Sequence, residues 1–415
     1  MEGSPNNLLP KPLEDSQIDN PPDEPNENHG RGSENAEMPK GKDQAPVPTT
    51  GRLWLNWDSL ERRIKRGKWI VVTGSADHTL KVWDVSSIEC RGTMVGDPIL
   101  HEAPIRCVDV DLESLHCMSG CADGRLAIWN MEECQTQDSY LSAKLGSQLC
   151  ICVDWSLEVK TAITGTGIGK LCLWDTSNCK LKGVIDAHPG ARVKAVAVDF
   201  SRGLAISAGE DGQLKKWENV FADFKSEEVV EVSVFREHGK NPLSCLAADF
   251  EKDRIISGAD DGSLFFVDLA SFESLGRLEG HVDRVNSLKV DLKSMCAVTG
   301  SEDETLRVWS LSDMTCKATL SGHTGGVRDV QVDFNEKVIL SASDDCTLRF
   351  WDLDGTCKGL LRGHTDRVIA CRLRMDRDLA LSVSRDSTLR LWDLDQLEEL
   401  ETFYGHCAGI VALAA

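Results

Sequence analysis

The chain has 415 residues, of which 41% are hydrophobic, and carries a formal net charge of −21. This hydrophobic content is enough for a sizeable core. The strong negative charge argues against general affinity for nucleic acid or anionic membranes, apart from a local basic patch. No apolar run approaches the roughly 20 residues that span a bilayer, and the N-terminus lacks the regions of a signal peptide. We therefore expect a protein of the cytoplasm, with the nucleus as the alternative, and no membrane partner.

The first part of the chain differs in composition from the rest. Residues 1–50 contain nine of the thirteen prolines, ten acidic and four basic residues, and no aromatic residue. Such a segment cannot bury enough apolar surface to offset the entropy of ordering it, so we predict a disordered acidic tail. Residues 51–69 form a predicted linker. Its charged stretch SLERRIKRGKW (59–69) is interpreted as a solvated loop, with a nuclear-localisation or nucleic-acid patch as the alternative.

From residue 70 onward one phrase recurs along the chain. It consists of a short apolar strand ending in Ser or Thr, a polar turn that usually contains Asp, and then Leu and Trp. Four copies are clear, at 73–84, 299–310, 341–352 and 382–393, and four are fainter, at 119–130, 164–175, 207–218 and 257–268. The Trp position falls at Trp83, Trp129, Trp174, Trp217, Val267, Trp309, Trp351 and Trp392, at intervals of 41 to 50 residues. This period is typical of a propeller or a solenoid.

The local pattern of each repeat is that of β-structure. Two strands, such as VVTGS and LKVWD in the first repeat, flank a tight turn rich in Asp, Gly and Ser. A further strand lies upstream, for example at 285–292, and its near-continuous apolar character favours burial between neighbouring sheets. No stretch has convincing helical periodicity apart from the ambiguous segment 59–66.

The sixteen cysteines are spread along the chain without a CxxC pair. Many stand in apolar runs, and Cys150 and Cys152, two residues apart on one predicted strand, would point to the same face. We interpret the cysteines as structural thiols in a reducing compartment, with a zinc or redox role as the alternative.

The periodic region, residues 70–415, resembles the WD-repeat (WD40) family. The Gly-His pair of that family appears at Gly280–His281, Gly322–His323, Gly363–His364 and Gly405–His406, with less standard versions at His101, His188 and His238. The resemblance implies an all-β propeller of four-stranded blades, each with a buried relay of His, Ser or Thr, turn Asp and Trp. The chemistry is sensible, because Trp only donates, Asp only accepts, and His bridges the two. The implied sets are His281–Thr299–Asp303–Trp309, His323–Ser341–Asp345–Trp351, His364–Ser382–Asp386–Trp392, His101–Ser119–Asp123–Trp129 and His188–Ser207–Asp211–Trp217.

The number of blades depends on His406. No Trp strand follows it, whereas the first repeat has Thr73, Asp77 and Trp83 without an upstream Gly-His pair. If residues 408–415 form the innermost strand of that first blade, His406 completes its set, and the propeller closes with eight blades. Seven blades with an appended or degenerate unit are the alternative, and truncation at the C-terminus is also left open.

Two repeats depart from the pattern. The third has Ile168 in place of the turn Asp and Gly146 in place of the His, and the fifth has Val267 in place of Trp. We expect these blades to rely on apolar packing and to be softer than the others.

No catalytic, cofactor or metal motif is present in the sequence. The run TGTGIGKL (164–171) lacks the spacing of a phosphate-binding loop, and there is no GxSxG, HExxH or zinc-type Cys/His spacing. His, Ser and Asp could be taken for a catalytic triad, but a trio that recurs in every blade favours an architectural role. We therefore expect no enzyme activity, no cofactor and no small-molecule substrate.

The resemblance also suggests where a partner would bind. Family members often bind peptides at one face, through the start of the innermost strand and the residue before the turn Asp. These positions hold Arg106, Arg192, Lys194, Arg284, Arg328, Arg367 and Arg385, among the acids Glu210, Asp260, Glu302 and Asp344. The hypothesis is capture of an acidic or phosphorylated peptide, and the alternative is a solvated rim of salt bridges. The expected function is a protein-interaction scaffold or adaptor, with a substrate receptor of a ubiquitin ligase or a chromatin- or RNA-associated factor as alternatives.

Overall fold

The computed structural model describes residues 69–95, 101–112, 114–141, 146–154, 160–220 and 230–414. The predicted tail 1–50, and the predicted linker 51–69 apart from Trp69, lie outside these residues. The predicted orientation of the Cys150 and Cys152 side chains also lies outside what is described.

All regular elements in the described ranges are strands, grouped in eight antiparallel four-stranded sheets, here called blades 1 to 8. Each blade is given from its inner to its outer strand. Blade 1 contains β32 (Ile410–Ala414), β1 (Ile70–Ser75), β2 (Leu80–Asp84) and β3 (Glu89–Met94). Blade 2 contains β4 (Ile105–Asp111), β5 (His116–Cys121), β6 (Arg125–Asn130) and β7 (Gln135–Leu141). Blade 3 contains β8 (Gln148–Asp154), β9 (Thr161–Thr166), β10 (Lys170–Asp175) and β11 (Lys180–Asp186). Blade 4 contains β12 (Val193–Asp199), β13 (Leu204–Gly209), β14 (Leu214–Glu218) and β15 (Val230–Phe235).

The remaining blades follow in chain order. Blade 5 contains β16 (Leu243–Asp249), β17 (Arg254–Ala259), β18 (Leu264–Asp268) and β19 (Ser274–Leu278). Blade 6 contains β20 (Val285–Asp291), β21 (Cys296–Ser301), β22 (Leu306–Ser310) and β23 (Thr315–Leu320). Blade 7 contains β24 (Val327–Asp333), β25 (Val338–Ser343), β26 (Thr347–Asp352) and β27 (Cys357–Arg362). Blade 8 contains β28 (Val368–Arg374), β29 (Leu379–Ser384), β30 (Leu389–Asp393) and β31 (Glu398–Phe403).

The inner strands form a closed ring. Each contacts the inner strand of the blade before it and of the blade after it, and β32 contacts both β28 and β4. Within blade 1, β32 pairs antiparallel with β1, with Thr73 opposite Leu413. The prediction of eight blades closed by the C-terminal strand is therefore confirmed, and the seven-blade alternative is wrong.

The core lies between the blades, because both faces of the two middle strands are covered. Every residue of β13 and β25 is buried, whereas the outer strand β11 alternates between exposed and half-buried residues. The Trp of one blade packs on the blade before it: Trp392 of blade 8 lies among Leu340 and Leu348 of blade 7. Near-continuous apolar strands are expected where a sheet is buried on both faces.

Candidate interaction surface

A buried relay fixes one end of each complete blade, and blade 6 shows its chemistry. The indole Nε1 of Trp309 donates to Thr299 Oγ1 at 2.8 Å, and Thr299 Oγ1 lies 2.7 Å from His281 Nε2. His281 Nδ1 lies 2.7 Å from the carboxylate of Asp303. The hydroxyl accepts from the indole and can also hydrogen-bond Nε2, while Nδ1–H donates to the carboxylate. The four side chains thus form one continuous chain of hydrogen bonds.

The same relay is complete in blades 1, 4, 6, 7 and 8. His-to-Asp distances are 2.7–2.9 Å, His-to-hydroxyl distances 2.7–2.8 Å and Trp-to-hydroxyl distances 2.8–3.0 Å. The members are His406, Thr73, Asp77 and Trp83; His188, Ser207, Asp211 and Trp217; His281, Thr299, Asp303 and Trp309; His323, Ser341, Asp345 and Trp351; His364, Ser382, Asp386 and Trp392.

Four of the relay aspartates, in blades 1, 6, 7 and 8, are held in the ionised form. Burial alone would raise the pKa of Asp303, but hydrogen bonds from His281, Thr305 and the Val282 amide outweigh it and hold the pKa well below its usual range. The pKa values of Asp77, Asp345 and Asp386 are lowered for the same reason. Each carboxylate thereby ties the b–c turn, the connection between the second and third strands, to the connection entering the inner strand.

In blade 2 the relay is broken at the His–Asp contact. His101 Nε2 lies 2.8 Å from Ser119 Oγ, but within the described residues His101 Nδ1 has no hydrogen-bond partner although it is buried. Asp123 instead accepts hydrogen bonds from the Cys121 thiol and the Arg125 amide. Burial lowers the pKa of His101 to about 4. The sequence match at this blade therefore did not give the full contact set.

Blade 3 keeps only part of the relay. The Trp174 indole donates to Thr164 Oγ1 at 2.8 Å. Where other blades pair a His with an Asp, Gly146 lies against Ile168, which is 43% exposed. The His–Asp contact is thus missing in this blade.

Blade 5 also keeps part of the relay. His238 Nε2 lies 2.8 Å from Ser257 Oγ, and the ring of Phe265 stands edge-on to His238 with centroids 4.6 Å apart. An aromatic contact thus compensates for Val267 while the His–Ser contact remains.

Four blades have a second set of hydrogen bonds at the same end, made by a serine that was not predicted from the sequence. Ser75 Oγ donates to Ala408 O at 2.8 Å and accepts from the Asp77 amide at 3.1 Å. The equivalent serines are Ser301, Ser343 and Ser384, whose hydroxyls donate to Asp283 O, Gly325 O and Asp366 O. The available signal was a serine two residues after the relay Ser or Thr in the four clearest repeats.

These contacts position a surface that we call the top rim. It comprises, in every blade, the residue just before the inner strand, the second residue of that strand, and the turn residue just after the second strand. In all eight blades the turn residue donates its amide to the carbonyl of the residue before the inner strand, at 2.8–3.0 Å. The donors are Ala76, Ala122, Gly167, Glu210, Asp260, Glu302, Asp344 and Arg385. The rim is thus a rigid frame with equivalent positions in each blade.

All seven predicted basic residues lie on the top rim. Arg192, Arg284 and Arg367 precede inner strands, Arg106, Lys194 and Arg328 are second residues of inner strands, and Arg385 is a turn residue. The four predicted acids are the turn residues of blades 4 to 7, namely Glu210, Asp260, Glu302 and Asp344.

The structure brings five of the seven bases together with these acids. Arg328 makes a bidentate contact with Asp344, with Nε donating to Oδ1 at 2.7 Å, and also reaches Glu302 at 3.0 Å. These hydrogen bonds raise the pKa of Arg328. The other pairs join Arg284 to Asp260, Arg367 to Asp344 at 3.4 Å, and Arg192 and Lys194 to Glu210 at 3.8 and 3.4 Å. Arg106 and Arg385 are exposed and make no ion pair with any described residue.

The repeat geometry agrees with a comparison to known families. A family model described as "WD domain, G-beta repeat" matches seven segments, at residues 65–84, 92–130, 179–218, 230–268, 272–310, 314–352 and 355–393. Together the segments cover more than half of the chain. The chain belongs to the WD40 repeat family. The unmatched segment 131–178 includes three of the four strands of blade 3, which lacks both the His and the Asp of the relay.

Two further similarities concern individual proteins. An uncharacterised WD repeat-containing protein of Schizosaccharomyces pombe is 36% identical over 75 residues, which are 18% of this chain and 18% of that protein. The crystal structure of the computationally designed Ika8 protein aligns with a TM-score of 0.67 and 22% identity, over 79% of this chain and 94% of that chain. The second likeness shows the fold alone.

The chemistry of the WD40 relay fits architecture. Thr299 is fully buried and its hydroxyl is occupied by Trp309 and His281, so it is closed to a substrate. Among the described residues, no group of three or more His, Cys, Asp or Glu could hold a metal. The part of the chain that the structure describes also has no helix long and apolar enough to cross a membrane. WD40 propellers in general bind other proteins as scaffolds and are typically non-catalytic.

Proposed function

We propose that this WD40 propeller is a non-catalytic scaffold whose top rim captures an acidic or phosphorylated segment of a partner protein. The observation that supports it most is the charge of the rim. Seven bases and four acids occupy equivalent rim positions, in a chain whose net charge is −21. Guanidinium groups bind carboxylate and phosphate in a bidentate manner, and loops held by a rigid scaffold commonly carry recognition.

The test is affinity purification from cells with a charge-reversed rim. The variant carries Arg367→Glu and Arg385→Glu, and the matched control carries Lys252→Glu and Lys293→Glu, two exposed residues in connections at the opposite end of blades 5 and 6. We expect the rim variant to lose partners that the wild type and the control both retain. Unchanged partners would contradict the proposal. The identity of the partners separates the scaffold from a ubiquitin-ligase receptor or a chromatin-associated factor.

We also propose that the protein works in the cytoplasm, with the nucleus as the alternative. The proposal is based on the composition of the sequence. Imaging of the tagged full-length chain tests it, and a signal confined to another compartment would contradict it.

A further inference from the structure

We infer that the acidic segment binds one sector of the rim, across blade 1, where Arg106 and Arg385 hold a pair of carboxylates in an extended peptide. This inference rests on the proposed function and narrows it to two residues and one ligand class. We call the rim residues of blade 1, together with Arg106 and Arg385, the blade 1 sector.

Arg106 and Arg328 occupy the same strand position in different surroundings. Arg328, the second residue of its inner strand, lies between the turn residues of its own blade and the preceding one, Asp344 and Glu302, and pairs with both. Since the blades repeat one register, the turn residues beside Arg106 are Ala122 and Ala76. The positive charge of Arg328 in blade 7 is therefore neutralised by two acids, whereas the equivalent Arg106 has no acid beside it on the rim.

Arg385 reverses the charge of its position. Blades 4 to 7 each place an acid at the turn position, whereas blade 8 places Arg385 there. Its amide is bonded to Arg367 O at 3.0 Å, which fixes its backbone, and Arg367 itself is turned toward Asp344. Apart from Arg385, the rim of blades 5 to 8 carries equal numbers of arginines and acids, three of each. Arg385 is therefore the excess positive charge on the rim of these four blades.

The rim between the two arginines is neutral and has little side-chain bulk. Gly409 precedes β32, and a Cβ there would lie 3.0 Å from Arg385 Cα and Arg385 O. Its neighbour at the turn is Ala76, whose amide bonds Gly409 O at 3.0 Å. Gly409 thus packs directly on the backbone of Arg385, and neither Gly409 nor Ala76 adds a charge or a long side chain between the two arginines.

An exposed aromatic ring lies on the same face. Tyr404, in the connection from blade 8 into blade 1, is 74% exposed. Aromatic and arginine side chains together are the residues that most often dominate binding energy at interfaces. Arg106 and Arg385 supply the arginines, and Tyr404 stands in the connection that leads to Gly409. The blade 1 sector has no acid at its rim positions to repel an anionic ligand.

Two separate anionic groups, one for each arginine, suit this site because two guanidinium groups are available without breaking an existing ion pair. Arg284 or Arg328 would have to leave Asp260 or Asp344 before binding a ligand, which cancels much of the gain. Arg106 and Arg385 carry no such cost. We therefore assign the ligand as a peptide with two or more Asp or Glu residues.

The experiment is selection from a displayed library of random twelve-residue peptides on the full chain, followed by fluorescence anisotropy with the selected peptides. The test variant carries Arg106→Ser and Arg385→Ser. The matched control carries Arg192→Ser and Arg284→Ser, which removes the same charge from the same rim at paired positions. Circular dichroism melting confirms that both variants fold.

We expect the wild type to enrich peptides with paired Asp or Glu. We expect these to bind the test variant at least tenfold more weakly and the control less than threefold more weakly. Equal losses in both variants would overturn the blade 1 sector while leaving capture by the whole rim intact. Enrichment of peptides without acidic residues, or acidic peptides insensitive to both variants, would overturn the sector and the rim proposal together.

Discussion

At the scale of single residues, the most informative contact is the one between the buried histidine and its aspartate. Where it is present, a carboxylate accepts from two backbone or side-chain groups of the turn and from a ring that no water reaches. Removing one partner leaves the other with an unpaired polar group in a low-dielectric site, which costs more than the bond itself contributes.

Replacing the relay aspartate tests this cost. Asp303→Ala should lower the free energy of unfolding by about 2–3 kcal/mol, because His281 Nδ1, the Val282 amide and Thr305 lose their acceptor. Asp123→Ala is the matched control, since Asp123 makes no hydrogen bond to His101. Urea unfolding measures both. A loss at Asp123 as large as that at Asp303 would show that the His contact is not the cause.

Acid should weaken the protein through His101 and His238. Burial lowers the pKa of each from 6.5 to about 4, so the unfolded chain binds protons that the folded chain does not. Stability therefore falls as the pH drops from about 6.5 to about 4, by roughly 3 kcal/mol per group at most. Urea unfolding between pH 7.5 and 4.5 measures the slope. His101→Gln should flatten it, and an unchanged slope would contradict this assignment.

The relay residues were predictable from the sequence because their chemistry repeats with the strands. What the sequence did not reveal is competition between neighbours. Cys121 lies two residues before Asp123 and donates to its carboxylate, and nothing in the spacing signals this. Phe265 likewise replaces an indole from a position two residues earlier, on the same strand as Val267.

At the scale of the strand and its turn, the b–c connection determines how closely successive blades approach. The residue after the turn Asp has a positive φ, and several blades use glycine there. In blade 3 this residue is Gly169, with φ +85°, and its carbonyl accepts from the His188 amide at 2.8 Å. A Cβ on Gly169 would lie 1.9 Å from His188 O, so the connection to blade 4 leaves no space for a side chain.

Gly169 and Gly190 have similar positive φ values, but only at Gly169 would an added Cβ collide with other atoms. Alanine variants at the two positions therefore distinguish the cost of backbone strain from the cost of a steric clash. Gly169→Ala should destabilise by about 3 kcal/mol or more, because the methyl group meets backbone in addition to the strain of a positive φ. Gly190→Ala, at φ +79° with nothing within 4 Å of the added Cβ, should cost only about 1–2 kcal/mol. Thermal unfolding of the two variants measures the difference. Equal losses of stability in the two variants would show that the predicted clash at Gly169 adds no cost.

The strands were predictable because a two-residue alternation and a tight turn are local properties. The ion pairs of the rim were not, because they join different blades. Arg284 pairs with Asp260 of the preceding blade, and only the register of adjacent sheets places the two side chains together. The same register places Arg106 beside two alanines, whereas the equivalent Arg328 lies beside two acids. This difference can be recognised only when equivalent positions of the blades are compared in the structure.

At the scale of the whole molecule, closure joins residues more than 300 positions apart. Thr73 Oγ1 lies 2.8 Å from Nε2 of His406, which is 333 positions away. Arg372 of blade 8 holds the same C-terminal strand by donating to Leu413 O at 2.7 Å. Arg372 also belongs to a polar chain near the axis, in which Asp329 accepts from Ser287 at 3.1 Å. These contacts tie blades 6, 7, 8 and 1 together from within.

Detaching β32 should open blade 1 and the adjoining blades. Ile410→Asp places an unpaired carboxylate at a fully buried position and should cost more than about 4 kcal/mol. Hydrogen exchange should show loss of amide protection in β1 and β4, which both contact β32. Val411→Asp, at a half-buried rim position next along the strand, is the control. Retained protection in β1 after Ile410→Asp would show that closure does not depend on this strand.

The pairing of β32 with β1 also determines when the protein can finish folding during synthesis. Of the strands that the structure describes, the ribosome makes β1, β2 and β3 first and β32 last, so blade 1 lacks its inner strand until the other seven blades have been made. During that interval β1 presents an unpaired hydrogen-bonding edge and apolar surface, the features that invite aggregation of nascent chains. We expect newly made chains to need protection by chaperones until residue 414 has left the exit tunnel, and to become resistant to protease only then.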